Sequence, residues 1–125
     1  MRNNKRRAQI LLVDDEDFLV KLWKNVLEKH GYEVKGYTIA KLALKAFEDN
    51  PNSFDIVVTD QSMPDMTGKE LVVELLKIRG DIKVIICTGY LGGTDIFKDI
   101  GIESCEYLLK PFDNSTLINA IERNI

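Results

Sequence analysis

One histidine and two cysteines are too few for a Cys/His zinc site, and Cys87 and Cys105 show neither a metal spacing nor a disulfide framework. No stretch approaches the ~20 apolar residues of a membrane span. A secretory leader is not expected either, because the apolar run Ile10–Val13 that follows the basic start is cut short by Asp14. Basic excess is absent too: the net charge is −3 and the pI about 5.2, so nothing in the balance asks for nucleic acid. These absences fit a reducing cytoplasm, with both cysteines acting as small apolar residues. Neither internal repeats nor low-complexity segments are seen.

What is present is an ordinary globular composition, 45% hydrophobic and 30% charged over 125 residues, enough for one domain with one core. Arg2, Lys5, Arg6 and Arg7 make residues 1–7 a basic tail or the end of a linker, and the folded domain is expected over residues 8–125.

Phe54–Gly68, FDIVVTDQSMPDMTG, organises the rest. Its apolar run Ile56–Val58 and Thr59 read as a buried parallel strand ending in one carboxylate, Asp60. Similar short runs occur at Ala8–Val13, Glu33–Tyr37, Lys83–Cys87 and Glu106–Leu109, with the alternating second run suited to an edge. Amphipathic segments lie between them. The first helix, Phe18–His30, carries Leu19, Leu22, Trp23, Val26 and Leu27 inward, with Asp17 as its cap and Gly31 as its stop. The second, capped by Thr38, turns Leu42, Ala43, Ala46 and Phe47 inward. The third opens on the capping box Thr67-Gly68-Lys69-Glu70 and buries Leu71, Val72, Leu75 and Leu76. A fourth, short helix carrying Ile96, Phe97 and Ile100 is expected after Gly92-Gly93-Thr94, and a fifth starts at Asp113 or Asn114, with Leu117, Ile118 and Ile121 inward. Five strands alternating with five helices predict an α/β, doubly wound, five-stranded parallel sheet.

In such a sheet the strand ends share one edge, where ligands bind. Strand one delivers Asp14 and Asp15, strand three Asp60, strand four Thr88 and strand five Lys110. Three carboxylates against one ammonium leave two uncompensated negative charges, which a divalent cation would balance. Oxygen ligands without His or Cys suit a hard ion, Mg²⁺. A cation, a lysine and a hydroxyl together stabilise a transferring phosphoryl group, and a carboxylate can accept it as an acyl phosphate. Taken singly, each residue has an ordinary role as cap, strand-end hydroxyl or surface lysine; their joint placement points to chemistry.

These marks resemble the receiver domain of two-component response regulators, or of a hybrid histidine kinase: Asp14-Asp15, Asp60 with Met63-Pro64 and Gly68, Thr88-Gly89 and Lys110-Pro111. The resemblance spans residues 8–125 and implies a flavodoxin-like sheet of order 2-1-3-4-5. It implies that Asp60 accepts a phosphoryl group from a histidine kinase or histidine phosphotransfer domain. Asp15, Asp60 and the Ser62 backbone carbonyl would hold Mg²⁺, with Asp14 assisting. Thr88 would bond the phosphoryl oxygen, Lys110 would pair with it across a cis Lys110-Pro111 peptide, and Tyr107 would turn inward as the switch aromatic. The face of helix four, strand five and helix five would read out the change, and helix one would dock the donor.

Ser62 and Tyr90, two residues after Asp60 and Thr88, are the tuning positions. Neither is an acid or amide, so slow self-dephosphorylation is expected, with Tyr90 as a shield. The protein is thus expected to be no enzyme beyond its own phosphorylation chemistry, a monomer or weak dimer, feeding a downstream effector or a covalently linked domain. His30, at the end of helix one, is expected to support the helix terminus rather than to carry phosphate.

Rival readings differ in checkable ways. An aspartate-nucleophile, Mg²⁺-dependent phosphatase would want a threonine after its aspartate pair, whereas Asp15-Glu16-Asp17 runs into Phe18-Leu19-Val20, and a cap domain is lacking. A flavin mononucleotide binder would want a Ser/Thr/Gly-rich phosphate loop where this chain has acids. A degenerate receiver, acting only as a binding module, would lack part of the five-residue set.

Overall fold

β1 (Gln9–Val13), β3 (Ile56–Asp60) and β4 (Lys83–Thr88) are nearly continuous apolar runs, and they occupy the middle of the sheet because only central parallel strands are covered on both faces. β2 (Glu33–Tyr37) alternates exposed and buried residues and forms one edge; β5 (Cys105–Leu109) forms the other. All pairs are parallel, in the order β2-β1-β3-β4-β5. The computed structural model describes residues 7–89 and 105–125.

Strand alternation divides the interior in two. Leu11, Val13, Val57, Val84 and Ile86 face α2 (Ala40–Asp49) and α3 (Gly68–Ile78). Ile10, Leu12, Ile56, Val58, Ile85 and Cys87 face α1 (Asp17–Lys29) and α4 (Asn114–Asn124). Helices on both faces of a parallel sheet are the doubly wound arrangement, and the strand order reverses between β1 and β3. The four helices are those of the described residues; the expected helix carrying Ile96, Phe97 and Ile100 lies outside them, as do residues 1–6.

Several local expectations hold. Gly31 has φ +102° and ends α1. Thr67 and Glu70 form a reciprocal capping box on α3. Asp113 caps α4 through Thr116 N–H, and Lys110-Pro111 is cis.

Others are corrected. Glu16, not Asp17, holds the N-cap position of α1 and makes no side-chain cap; Asp17 is the first helical residue and pairs with Lys21 at 2.9 Å. The buried row of α1 is Val20 and Leu27 with Trp23 partly covered, while Leu22 is 40% exposed. Leu19, Trp23, Val26 and Leu27 keep their expected covered side, and Val20 joins them in place of Leu22 because α1 lies so close to β2 that a Cβ on Gly36 would come within 2.6 Å of Val20 Cγ1. In α2, Ala40, Ala43 and Phe47 point inward and Leu42 is 53% exposed. Thr38 does not cap that helix. Ile39 occupies the N-cap position, and the acceptors come from a distant residue, Asp65. In α4, Ala120 joins Leu117 and Ile121 in the buried row, with Ile118 partly covered.

Candidate functional site

The β1/β3 reversal sets Asp14 beside Asp60, both almost fully buried, with Asp15 exposed at the rim. Each of Asp14, Asp15 and Asp60 offers an oxygen within 4.8 Å of the others. Among the described residues no Cys or His joins this group. Lys110 follows β5 and reaches back across β4, placing Nζ 2.5 Å from Asp60 Oδ1 and 3.7 Å from Asp14 Oδ2. Thr88 ends β4, and its carbonyl accepts the Lys110 N–H at 2.8 Å, which locks the ends of β4 and β5 together. Four strand ends therefore converge as expected.

Electrostatics follow from burial. Desolvation raises the Asp14 carboxyl above its ordinary value; the Glu16 N–H bonded to Oδ1 opposes this, and the Asp60 charge adds to it. Desolvation likewise raises Asp60, against the hydrogen bond and charge of Lys110. For Lys110, burial alone lowers the pKa, but the bond and charge of Asp60 outweigh it and the net shift is upward. A single ammonium leaves the acids under-compensated, and an all-oxygen donor set short of positive charge fits a hard divalent cation.

Ser62 is exposed and lines an open groove with Asp15, Gln61, Pro64 and Thr67. Tyr107 is half-buried against the α2/α3 side of the sheet, and burial pushes its hydroxyl up to about 12. Cys87, in register with Asp60, is buried, and desolvation raises its thiol to about 12. Tyr90 lies outside the described residues. His30 is the C-cap of α1, 3.1 Å from Glu122, at the opposite end of that helix from the acids.

Two supporting residues, Gln61 and Phe112, escaped the sequence reading, and Trp23, expected only as an inward residue of the first helix, joins them at the site. Gln61 closes the β3–α3 loop: its carbonyl accepts Gly68 N–H at 2.9 Å and its Oε1 accepts Lys69 N–H at 3.0 Å. Its only sequence signal is its place next to Asp60. Trp23 and Phe112, with ring centroids 5.2 Å apart, wall a cavity of about 20 Å³ below the acids.

A parallel sheet of this order with acids at its switch point defines a receiver-type α/β domain, and comparison with known proteins agrees. The family model described as the response regulator receiver domain matches residues 10–122, so the chain belongs to that family. A two-component response regulator of Arabidopsis thaliana is 33% identical over 103 residues, covering 82% of this chain and 18% of that protein. The chain thus spans about a fifth of the length of the plant regulators it matches. A receiver domain protein from Clostridium thermocellum superposes with a TM-score of 0.86 at 35% identity, over 94% of both chains. A response regulator from Thermotoga maritima, in complex with Mg²⁺–BeF, superposes with a TM-score of 0.82 at 30% identity, over 94% of this chain and 99% of that one. Among the described residues no helix is long and apolar enough to cross a membrane.

Proposed function

We propose that the chain is the phosphoacceptor of a two-component phosphorelay, taking a phosphoryl group from a histidine kinase or histidine phosphotransfer domain onto Asp60. The observation that carries this is the gathering of the Asp14, Asp15 and Asp60 oxygens within 4.8 Å, with Lys110 Nζ at 2.5 Å from Asp60. Asp15, Asp60 and the Ser62 carbonyl would hold Mg²⁺, with Asp14 assisting; the Mg²⁺–BeF complex of the Thermotoga maritima relative supports Mg²⁺ as the ion. When bound, the ion supplies charge neutralisation for an incoming phosphoryl oxygen.

Asp60 attacks the donor phosphorus through a carboxylate oxygen, the phosphorus–nitrogen bond of the phosphohistidine breaks, and the imidazole leaves. Lys110 shifts from the free carboxylate to the phosphoryl oxygens, and the Thr88 hydroxyl donates to another. Drawing Thr88 toward the phosphoryl group lets Tyr107 repack, so that the β5 edge, its flanking final helix and the preceding segment report the event. The exposed Phe18 and Leu22 on α1, beside the acids, offer the donor an apolar landing face. Downstream, an effector or covalently linked domain would receive the signal. Ser62 and Tyr90 carry no acid or amide to orient an attacking water, which favours slow autodephosphorylation.

The test is incubation with a small phosphodonor and Mg²⁺ followed by intact mass. One phosphoryl adduct, lost in Asp60→Ala, supports the reading. Steady release of phosphate from many substrates would favour a phosphatase, and no adduct at all would favour a degenerate receiver that only binds partners.

A further inference from the structure

Asp65 lies at the tip of the β3–α3 loop, yet its carboxylate is spent on another helix. Oδ2 accepts the Lys41 N–H at 3.0 Å and Oδ1 lies 3.4 Å from the Ala40 N–H, at the start of α2. The N-cap residue of that helix, Ile39, makes no side-chain cap of its own. A capping carboxylate normally comes from the helix's own N-cap; here it comes from 25 residues away and is the link between two loops.

Those loops belong to the site. The base of the β3–α3 loop is clamped by Gln61, whose carbonyl and Oε1 take the Gly68 and Lys69 N–H groups. Its middle is anchored by Met63, buried in the core under α2 and α3. On the other side, Tyr37 at the end of β2 accepts the Asp14 N–H at 3.1 Å, and α2 starts three residues later. A closed circuit therefore runs from Asp14 to Tyr37, through the start of α2 to Asp65, and back along Pro64, Met63 and Ser62 to Asp60. Met63 adds apolar packing to this circuit, and among the described residues Asp65 closes it with side-chain hydrogen bonds to the start of α2.

We propose that Asp65 is a positioning residue for the cation site: by tethering the loop tip to α2, it holds the Ser62 carbonyl opposite the β1 acids. This rests on the Mg²⁺ reading above. Outer groups that orient ligands set affinity, and an untethered loop must be ordered at the cost of binding.

The experiment separates tethering from simple helix capping. Asp65→Ala removes both. Ile39 is exposed at the N-cap position, so adding Ile39→Asp to Asp65→Ala restores a local cap but leaves the loop untethered. Mg²⁺ affinity is read by titration calorimetry, and stability by urea denaturation, for the wild type, Asp65→Ala, Asp65→Asn and the double variant. Asp65→Ala is expected to weaken Mg²⁺ binding about tenfold, Asp65→Asn to restore most of it, and the double variant to recover stability while Mg²⁺ binding stays weak. Recovery of Mg²⁺ affinity along with stability in the double variant, or unchanged affinity in Asp65→Ala, overturns the proposal while leaving the metal site intact. If Asp65→Ala does not fold, Asp65→Asn and the double variant decide alone. A wild type that binds no Mg²⁺ overturns the metal reading and this inference together.

Discussion

Lys110 Nζ sits 2.5 Å from Asp60 Oδ1 and 3.7 Å from Asp14 Oδ2, so one ammonium serves two buried carboxylates that lie on different strands. It is a tether between the far edge of the sheet and its centre, and it competes for the same oxygens that a cation would take. Replacing it separates the two roles. In Lys110→Met without Mg²⁺, the acids lose their counter-charge and stability falls by roughly 1–3 kcal/mol, less than for a fully buried pair because Lys110 is partly solvated. Mg²⁺, relieved of a like charge nearby, binds several-fold tighter. Urea melts and calorimetric titration measure both effects; weaker Mg²⁺ binding would contradict this account of the competition.

Asp14 and Asp60 predict an unusual pH response. Their folded pKa values are raised, chiefly by burial. Such carboxyls favour the fold when protonated, and that contribution is lost as pH rises from the ordinary 3.8 through the raised folded values. Asp60→Asn removes one of these groups and should therefore raise the melting temperature at neutral pH in the absence of Mg²⁺, by a few °C if about 1 kcal/mol is recovered. The gain should shrink on acidification into the carboxylate range. A melting temperature lowered at pH 7 would show that the ion pair with Lys110 outweighs desolvation.

Gly68 touches the site through backbone. A Cβ there would lie 2.6 Å from the Asp60 carbonyl oxygen and 3.1 Å from Gln61 Cα, neither of which is a flexible side-chain end. Gly68→Ala should destabilise by about 1–3 kcal/mol and displace the end of β3, lowering phosphoryl acceptance even where the protein remains folded. Chemical denaturation together with the intact-mass assay checks this. Full-rate phosphorylation of the variant would show that the strand end tolerates the shift.

Mg²⁺ should stabilise the native chain by linkage, about 2.7 kcal/mol at a hundredfold excess over the dissociation constant. EDTA should abolish the gain. Asp15 is exposed and Asp60 is not, so Asp15→Ala should remove most of the Mg²⁺-dependent rise in melting temperature while leaving the metal-free value close to wild type. A retained Mg²⁺ shift would remove Asp15 from the ligand set.

Much of this was legible from residue order. Short apolar runs, each closed by a polar residue, located the five strands within about one residue, and the acids, Thr88 and Lys110 were visible because strand ends in a parallel sheet share an edge. The misjudged features are those in which two readings are locally equivalent. On α1 and α2 the apolar stripe was read correctly except at its margin, where Leu22 and Leu42 are exposed and Val20 and Ala40 are buried; close approach of α1 to Gly36 on β2 favours Val20 over Leu22. For the α2 cap, Thr38 was a sound local candidate, but Asp65 is nearer in space than in sequence.

By itself the chain's order of residues determined the elements, the doubly wound class and the chemical inventory at one sheet edge, because periodicity and strand-end position are local properties. Only the tertiary structure decided how Asp60 shares Lys110 with Asp14, which helix rows are buried, and that Asp65 binds the start of α2. Those depend on close approach between segments distant along the chain, and distance through space is a property no local pattern encodes.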